Sequence, residues 1–445
     1  MAIELCDPVA CPPAGCRATV CTGAGIPSNS ELFRRSSRVI PGGVNSSIRA
    51  FKSVGGEPYV VARASGAFVY DVEHREYVDL VQSYGAVILG HAHPAITAAL
   101  QAAAPDGTSY GAPTPREMKL AEAISARVPS CEQVRFMNSG TEATSTAVRL
   151  ARGYTGRDRV VIFHGNFHGA TDALLAAGGS GVATLGLPGT AGVPAGAVAE
   201  TMVVPYNVVP QLDASVACVI VEPVAANMGV VAPAPGFLEG LRAECDRVGA
   251  VLVFDEVITG FRLGLGGAQG RYGVTPDLTT FGKVIGGGLP IGAVGGRREL
   301  METLTPLGVV FHAGTLAGNP LATAAGLAAL DTLDDDSYGF LEHQAGRLAA
   351  VLTEACTAAG FPARFPVVGT LVGMVTGAVA QPTDFATAKQ IDEPAFGRFF
   401  HALLDAGVAI APGAYEALFV GLAHTDAVLD RVAEAAHQAA AAAVR

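Results

Sequence analysis

Val251-Leu252-Val253-Phe254-Asp255-Glu256 is an apolar run that ends directly in two carboxylates. A short, unbroken apolar stretch of this kind suits a strand covered on both faces, as parallel strands are. In an open α/β sheet, ligands bind at the carboxyl ends of such strands. Residues 134–137, 159–163 and 217–221 read the same way. Helix-period stretches at 117–127, 142–154 and 236–247 fall between them. The alternation runs from about residue 93 to residue 330 and predicts an α/β domain, doubly wound, with a mostly parallel sheet.

Outward from this centre the pattern changes. Residues 31–81 hold strand-like runs, Pro58-Tyr59-Val60-Val61 and Phe68-Val69-Tyr70, with Gly42-Gly43 and Gly55-Gly56 as turn signals. They read as an N-terminal arm. Residues 82–332 form the expected large domain, and residues 333–445 mix helix and strand patterns. Arm and C-terminal segment together predict a smaller α+β domain. Residues 1–30 are rich in Pro, Gly and Ser and read as a disordered leader. Cys6, Cys11, Cys16 and Cys21 recur there every five residues. Zinc ligands come in closer pairs, so no metal is expected. Residues 178–196 show no regular period, and a stretch of that length reads as a lid or as disorder.

Composition narrows the function. Half of the 445 residues are hydrophobic, enough for a large core. The 40 acidic residues outnumber the 29 basic ones, for a net charge of −11. Phosphate backbones and anionic lipid need basic surfaces, so no nucleic acid and no membrane partner is expected. No apolar run reaches the length of a membrane span, about 18 residues. Without a secretory signal pattern, the expected location is cytoplasmic. The Ala-rich tail at 432–444, interrupted by Glu434 and His437, reads as a final helix.

The chain has only four lysines, Lys52, Lys119, Lys283 and Lys389. Lys283 lies in Thr280-Phe281-Gly282-Lys283-Val284-Ile285-Gly286-Gly287-Gly288. Apolar surroundings lower a lysine pKa, as a Schiff-base or nucleophilic lysine requires. A surface lysine at a glycine turn would look similar. Asp255, 28 residues upstream, is placed to pair with a protonated ring nitrogen and strengthen an electron sink, or simply to cap a turn. The run 134–137 leads into Asn138-Ser139-Gly140-Thr141-Glu142. Ser139 and Glu142 have capping-box spacing, and the N-terminus of a helix is an anion site. No P-loop and no dinucleotide glycine motif follows a strand. Phe163-His164-Gly165-Asn166-Phe167-His168-Gly169 offers Phe167 or His168 to stack on a planar ring, or to pack in the core.

Taken together, Asn138-Ser139-Gly140-Thr141-Glu142-Ala143, Phe167-His168-Gly169, Asp255-Glu256-Val257-Ile258-Thr259-Gly260-Phe261-Arg262, Gly282-Lys283 and Gly314-Thr315-Leu316-Ala317-Gly318-Asn319-Pro320 resemble the class III pyridoxal-phosphate aminotransferases. Arg49-Ala50-Phe51-Lys52, Gly90-His91-Ala92-His93-Pro94, Gly179-Ser180-Gly181 and Asn227-Met228-Gly229-Val230-Val231 are most similar to the glutamate-1-semialdehyde 2,1-aminomutase branch. The resemblance implies a fold-type-I homodimer with shared active sites, acting on a small amino or keto substrate through pyridoxal and pyridoxamine 5'-phosphate. It makes Lys283 the Schiff-base lysine and proton shuttle, and Asp255 the partner of the ring nitrogen. Ser139, Gly140 and Thr141 would bind the phosphate, Phe167 and Ile258 the ring. Thr315 would reach the site of the partner subunit. Arg49 would hold the substrate carboxylate, with Tyr84 and Ser180 close to the substrate. Residues 165–194 would gate the site under the control of Glu416.

Several positions depart from the branch pattern. Phe167 stands for a tyrosine, Ala170 for a histidine, Asn166 for a cysteine and His312 for a glutamine. Tyr84 and Ala86 stand for tryptophan and proline, and Ser47 for a proline. Two readings stay open: the aminomutase, which makes 5-aminolevulinate by isomerisation, and an intermolecular transaminase acting on another keto or aldehyde substrate. A non-catalytic cofactor-binding protein would not need both Lys283 and Asp255.

Overall fold

A computed structural model describes residues 27–176 and 190–444. Strands β1 (Val61–Ser65), β2 (Phe68–Asp71) and β3 (Glu76–Asp79) form a four-stranded sheet whose last member, Val408–Ala409, comes from far along the chain. Val408 pairs with Val78 and Ala409 with Asp79, in parallel. The expected strand at 58–61 begins later than its apolar run. Asn29 explains why, because its side-chain Oδ1 accepts from Val60 N at 2.7 Å and withdraws that amide from strand pairing. Asn29 opens the helix Asn29–Ser36, capped by Ser28. The helix therefore includes the last two residues of the expected leader; Cys6, Cys11, Cys16 and Cys21 lie outside the described residues.

The central sheet has seven strands: β4 (Gln133–Met137), β5 (Arg159–Phe163), β6 (Thr201–Val204), β7 (Val216–Val221), β8 (Val251–Asp255), β9 (Leu278–Phe281) and β10 (Gly292–Gly296). Their order is β4-β10-β9-β8-β7-β5-β6. Only β10 runs against its neighbours β4 and β9; the other pairings are parallel. Every residue of β7 and β8 is buried, as their apolar sequences predict. Alternate residues feed two cores. Val219, Val221, Leu252 and Phe254 join one, while Cys218, Ile220, Val251 and Val253 join the other. Burying each such side chain contributes about 1.5–3 kcal/mol. A sheet buried on both faces is the doubly wound arrangement.

β10 is built largely of glycine because its neighbours leave no space. A Cβ on Gly296 would stand 2.7 Å from the Asp277 carbonyl oxygen, and one on Gly295 would stand 3.1 Å from Cys131 Cβ. The helix Gly140–Thr155 lays Ala143, Ala147, Leu150 and Ala151 on the sheet and ends at Gly156, whose φ of 67° closes the last turn. Helices Asp335–Ala359, Glu393–Asp405 and Asp426–Ala443 pack together after the central sheet. Among the described residues, no helix is long and apolar enough to cross a membrane.

Candidate active site

The carboxyl ends of β4, β5, β7, β8 and β9 meet at a cavity of about 230 Å³. The turn after β4 contributes Ser139, Gly140 and Thr141, and the loop after β5 contributes Phe167 and His168. Glu222 follows β7, Asp255 and Ile258 come from the end of β8, and Lys283 follows β9.

Asp255 is almost fully buried and held from three sides. Thr280 Oγ1 donates to its Oδ1 at 2.9 Å, and Val257 N donates to the same oxygen at 3.1 Å. His168 Nδ1 meets Oδ2 at 2.7 Å. Thr144 Oγ1 in turn donates to the His168 carbonyl at 2.7 Å. His168 Nε2 is buried and has no hydrogen-bond partner among the described residues. The two aromatics proposed for stacking are thus separated. His168 is committed to Asp255, while Phe167, 40 % exposed, lines the cavity.

Lys283 takes a φ of 48°, in the left-handed region, between the extended Gly282 and the turn Lys283–Gly286. Such a conformation costs a non-glycine residue about 1–3 kcal/mol and marks functional positions. Burial pushes the lysine pKa down to about 8, and the positive charge of Arg262 adds to the fall, against opposing pulls from Glu416, Glu222 and Asp255.

At the start of the helix Gly140–Thr155, Ser139 Oγ accepts from Glu142 N at 3.2 Å. The expected capping box stays half made. Glu142 Oε2 turns instead to Asn138, accepting from its N at 2.9 Å and its Nδ2 at 3.2 Å. Gly169, at φ 83°, lies so close that a Cβ there would stand 2.8 Å from Thr141 Cα.

Glu222 was not singled out from the sequence. Its signal is the one that marked Asp255, a carboxylate directly after an apolar strand. It accepts from Phe167 N at 2.6 Å, Ala226 N at 3.1 Å and Asn227 Nδ2 at 3.0 Å. Burial raises its pKa to about 7.

Residues 51–439 match the family model Aminotransferase class-III. The chain belongs to the class-III aminotransferase family. It is similar to glutamate-1-semialdehyde 2,1-aminomutase of Bordetella avium (strain 197N), with 52 % identity covering 92 % of this chain and 98 % of that protein. The protein of the same name from Laribacter hongkongensis (strain HLHK9) is 49 % identical, with coverage of 92 % and 98 %. Among solved structures, an omega-transaminase from Sphaerobacter thermophilus aligns with a TM-score of 0.85 and 33 % identity, covering 95 % of this chain and 99 % of that one.

The cavity of this class-III aminotransferase fits pyridoxal phosphate in its donor set. The first amides of a helix lack partners within it, and its positive end favours a phosphate beside Ser139, Gly140 and Thr141. A buried carboxylate, Asp255, and an amine of lowered basicity, Lys283, share the same space.

The remaining expected residues lie further out. Tyr84, Arg49 and Glu416 share one electrostatic neighbourhood: burial raises the Tyr84 hydroxyl pKa first, Glu416 raises it further and Arg49 lowers it. Glu416 also acts on Lys283. Tyr84 belongs to a left-handed turn in which Gln82, Ser83 and Tyr84 have φ of 47°, 52° and 56°. Each costs about 1–2 kcal/mol relative to right-handed backbone. Thr315 is exposed and does not line the cavity. Ser180 and much of the expected lid lie outside the described residues.

Proposed function

We propose that this class-III aminotransferase is a glutamate-1-semialdehyde 2,1-aminomutase that makes 5-aminolevulinate. The observation that carries the reading is the likeness, at about half identity over 92 % of the chain, to two proteins of that name. The shared neighbourhood of Lys283, Glu416, Tyr84 and Arg49 supports it.

Pyridoxal phosphate, when bound, supplies a carbonyl for the amine and a ring that draws electrons from the adjacent carbon. The chain's residues divide the remaining work. Ser139, Gly140 and Thr141 hold the phosphate, and Phe167 and Ile258 hold the ring. Asp255 pairs with the ring nitrogen, its carboxylate aimed by His168 and Thr280. Lys283 carries the cofactor and moves protons at Nζ, a role its lowered basicity suits. Arg49 holds the substrate carboxylate beside Tyr84. Ser180 would lie close to the substrate, and Glu416 would govern the gate at 165–194 that keeps the substrate in the site.

The reading includes a homodimer. Leu307, Val309, Phe311 and Leu316 are 73, 88, 68 and 52 % exposed around Thr315. A second subunit that covers this apolar patch would also carry Thr315 to the partner's site. It also includes a large domain at 82–332 and a small one drawn from 31–81 and 333–445, which the pairing of β3 with Val408–Ala409 supports. The buried free thiols Cys131, Cys218, Cys245 and Cys356 suit the reducing cytoplasm.

A second reading, intermolecular transamination, draws on Phe167, which brings no hydroxyl to the cavity. One experiment separates the two. The enzyme in its pyridoxamine form is given glutamate-1-semialdehyde and no other amine donor. Sustained 5-aminolevulinate over many turnovers is expected. Little or no 5-aminolevulinate, with the cofactor left in its pyridoxal form, would overturn the aminomutase in favour of a transaminase, and a donor–acceptor screen would then find its substrate.

A further inference from the structure

Arg262 is 0 % exposed, yet among the described residues it forms no ion pair with a carboxylate. Its fork is spent on main chain. NH1 donates to the Val420 carbonyl at 2.8 Å and NH2 to the Gly85 carbonyl at 2.8 Å, while Nε has no partner among the described residues. A buried guanidinium without a counter-charge is destabilising unless it holds something the fold requires.

Its two acceptors indicate what that is. Gly85 follows Tyr84 and closes the left-handed turn; Val420 lies in the run that begins at Glu416. The two segments come from distant parts of the chain and are packed tightly. Arg262 lies over the Phe419 ring at 5.4 Å, and a Cβ on Gly85 would stand 2.8 Å from that same ring. Phe419 N donates to the Leu80 carbonyl at 2.8 Å, and a Cβ on Gly421 would stand 2.8 Å from the Ile88 carbonyl oxygen. Three successive left-handed non-glycine residues persist only where their surroundings over-determine them. Asp79 holds the start of the turn, accepting from Val81 N at 2.9 Å and Gln82 N at 3.2 Å. Arg262 holds its end.

We propose that Arg262 is a positioning residue for the substrate: its two arms fix the turn that carries Tyr84 and the run that follows Glu416, and so set the distance between these two substrate-side groups. The inference rests on the proposed function for the identity of the substrate, but not for the holding of the two segments. A lysine cannot replace the fork, because its ammonium is a compact point charge without two divergent planar donors. Arg262 thus differs from Asp255, the last residue of β8, which faces the cofactor cavity. Its proximity to Lys283 adds a direct electrostatic influence on that amine.

The test uses the holoenzyme with Arg262→Met and Arg262→Lys. Amide hydrogen exchange is expected to quicken at residues 82–87 and 419–422 in both variants. Unchanged protection there would overturn the proposal. Binding is then followed through the cofactor spectrum with 5-aminolevulinate and with aminoacetone, which lacks the carboxylate arm. Roughly tenfold weaker binding of the acid is expected, with little change for aminoacetone and with the cofactor retained. Equal weakening of both ligands, or wild-type behaviour of Arg262→Lys, would overturn it. If the wild-type enzyme does not prefer the acid over aminoacetone, the proposed function fails instead, and hydrogen exchange alone decides the role of Arg262.

Discussion

His168 Nδ1 lies 2.7 Å from Asp255 Oδ2, in a buried pair that joins the loop after β5 to the end of β8. Two other donors hold the opposite oxygen, so the carboxylate cannot turn without breaking them. Asp255→Asn is expected to keep the cofactor on Lys283 and to lower kcat by about 10²–10³, the usual cost of losing one preorganised electrostatic group. His168→Asn should cost less, about tenfold, since it only aims the carboxylate. Visible absorbance and steady-state rates check both. A kcat for Asp255→Asn close to wild type would remove Asp255 from the reaction.

Lys283 should show its lowered basicity when cofactor is added back to the apoenzyme. Attachment needs the neutral amine. The rate of appearance of visible absorbance is expected to rise with pH through a midpoint near 8 rather than near the ordinary 10.5. Glu416 favours the charged amine, so Glu416→Gln should move the midpoint to lower pH. A midpoint above 10 in the wild type would contradict the buried, apolar setting.

Glu222 makes a prediction about stability. Its pKa is raised from 4.5 to about 7 on folding, so the folded state holds the proton more tightly. The stability this provides is full below pH 4.5 and is lost as pH rises through about 7. The span is on the order of 3 kcal/mol at most. Urea unfolding of the apoenzyme should show the decline, and Glu222→Gln should flatten it. An equally steep decline in the variant would assign the effect to another group.

Gly169→Ala should strike the phosphate site through sterics alone. The added methyl would be forced against Thr141 at a positive φ. A cost of about 1–3 kcal/mol corresponds to roughly 5- to 150-fold weaker cofactor binding. Titration of the apoenzyme with pyridoxal phosphate measures it, and wild-type affinity would show that Thr141 has space to retreat.

The parts of the site that lie at strand ends were readable, because a buried parallel strand is an apolar run and whatever follows it faces the ligand. Asp255 and Ser139 through Thr141 were found this way, and Glu222 carries the same mark; Lys283 stood out instead by its apolar, glycine-rich surroundings. β10 was not read as a strand, since Gly292-Ala293-Val294-Gly295-Gly296 has a turn's composition. Its glycines answer to close neighbours that no local pattern reveals. The left-handed turn at Tyr84 was equally hidden, for Gln82, Ser83 and Tyr84 are not residues that favour positive φ. Arg262 was quoted within a motif, but its two carbonyl partners lie 177 and 158 residues away in sequence.

The pairing of Val408–Ala409 with β3 sets a timetable for the nascent chain. β3 leaves the ribosome early, and its outer edge stays open until more than three hundred further residues have been made. Tyr84 and the loop bearing Glu416 cannot face each other before then. The cofactor cavity, whose strands are joined once β10 is complete at Gly296, can form well before Tyr84 and Glu416 come together. A chain stalled between these points would carry the cofactor pocket without Glu416 opposite Tyr84, and would expose a strand edge open to the wrong partners.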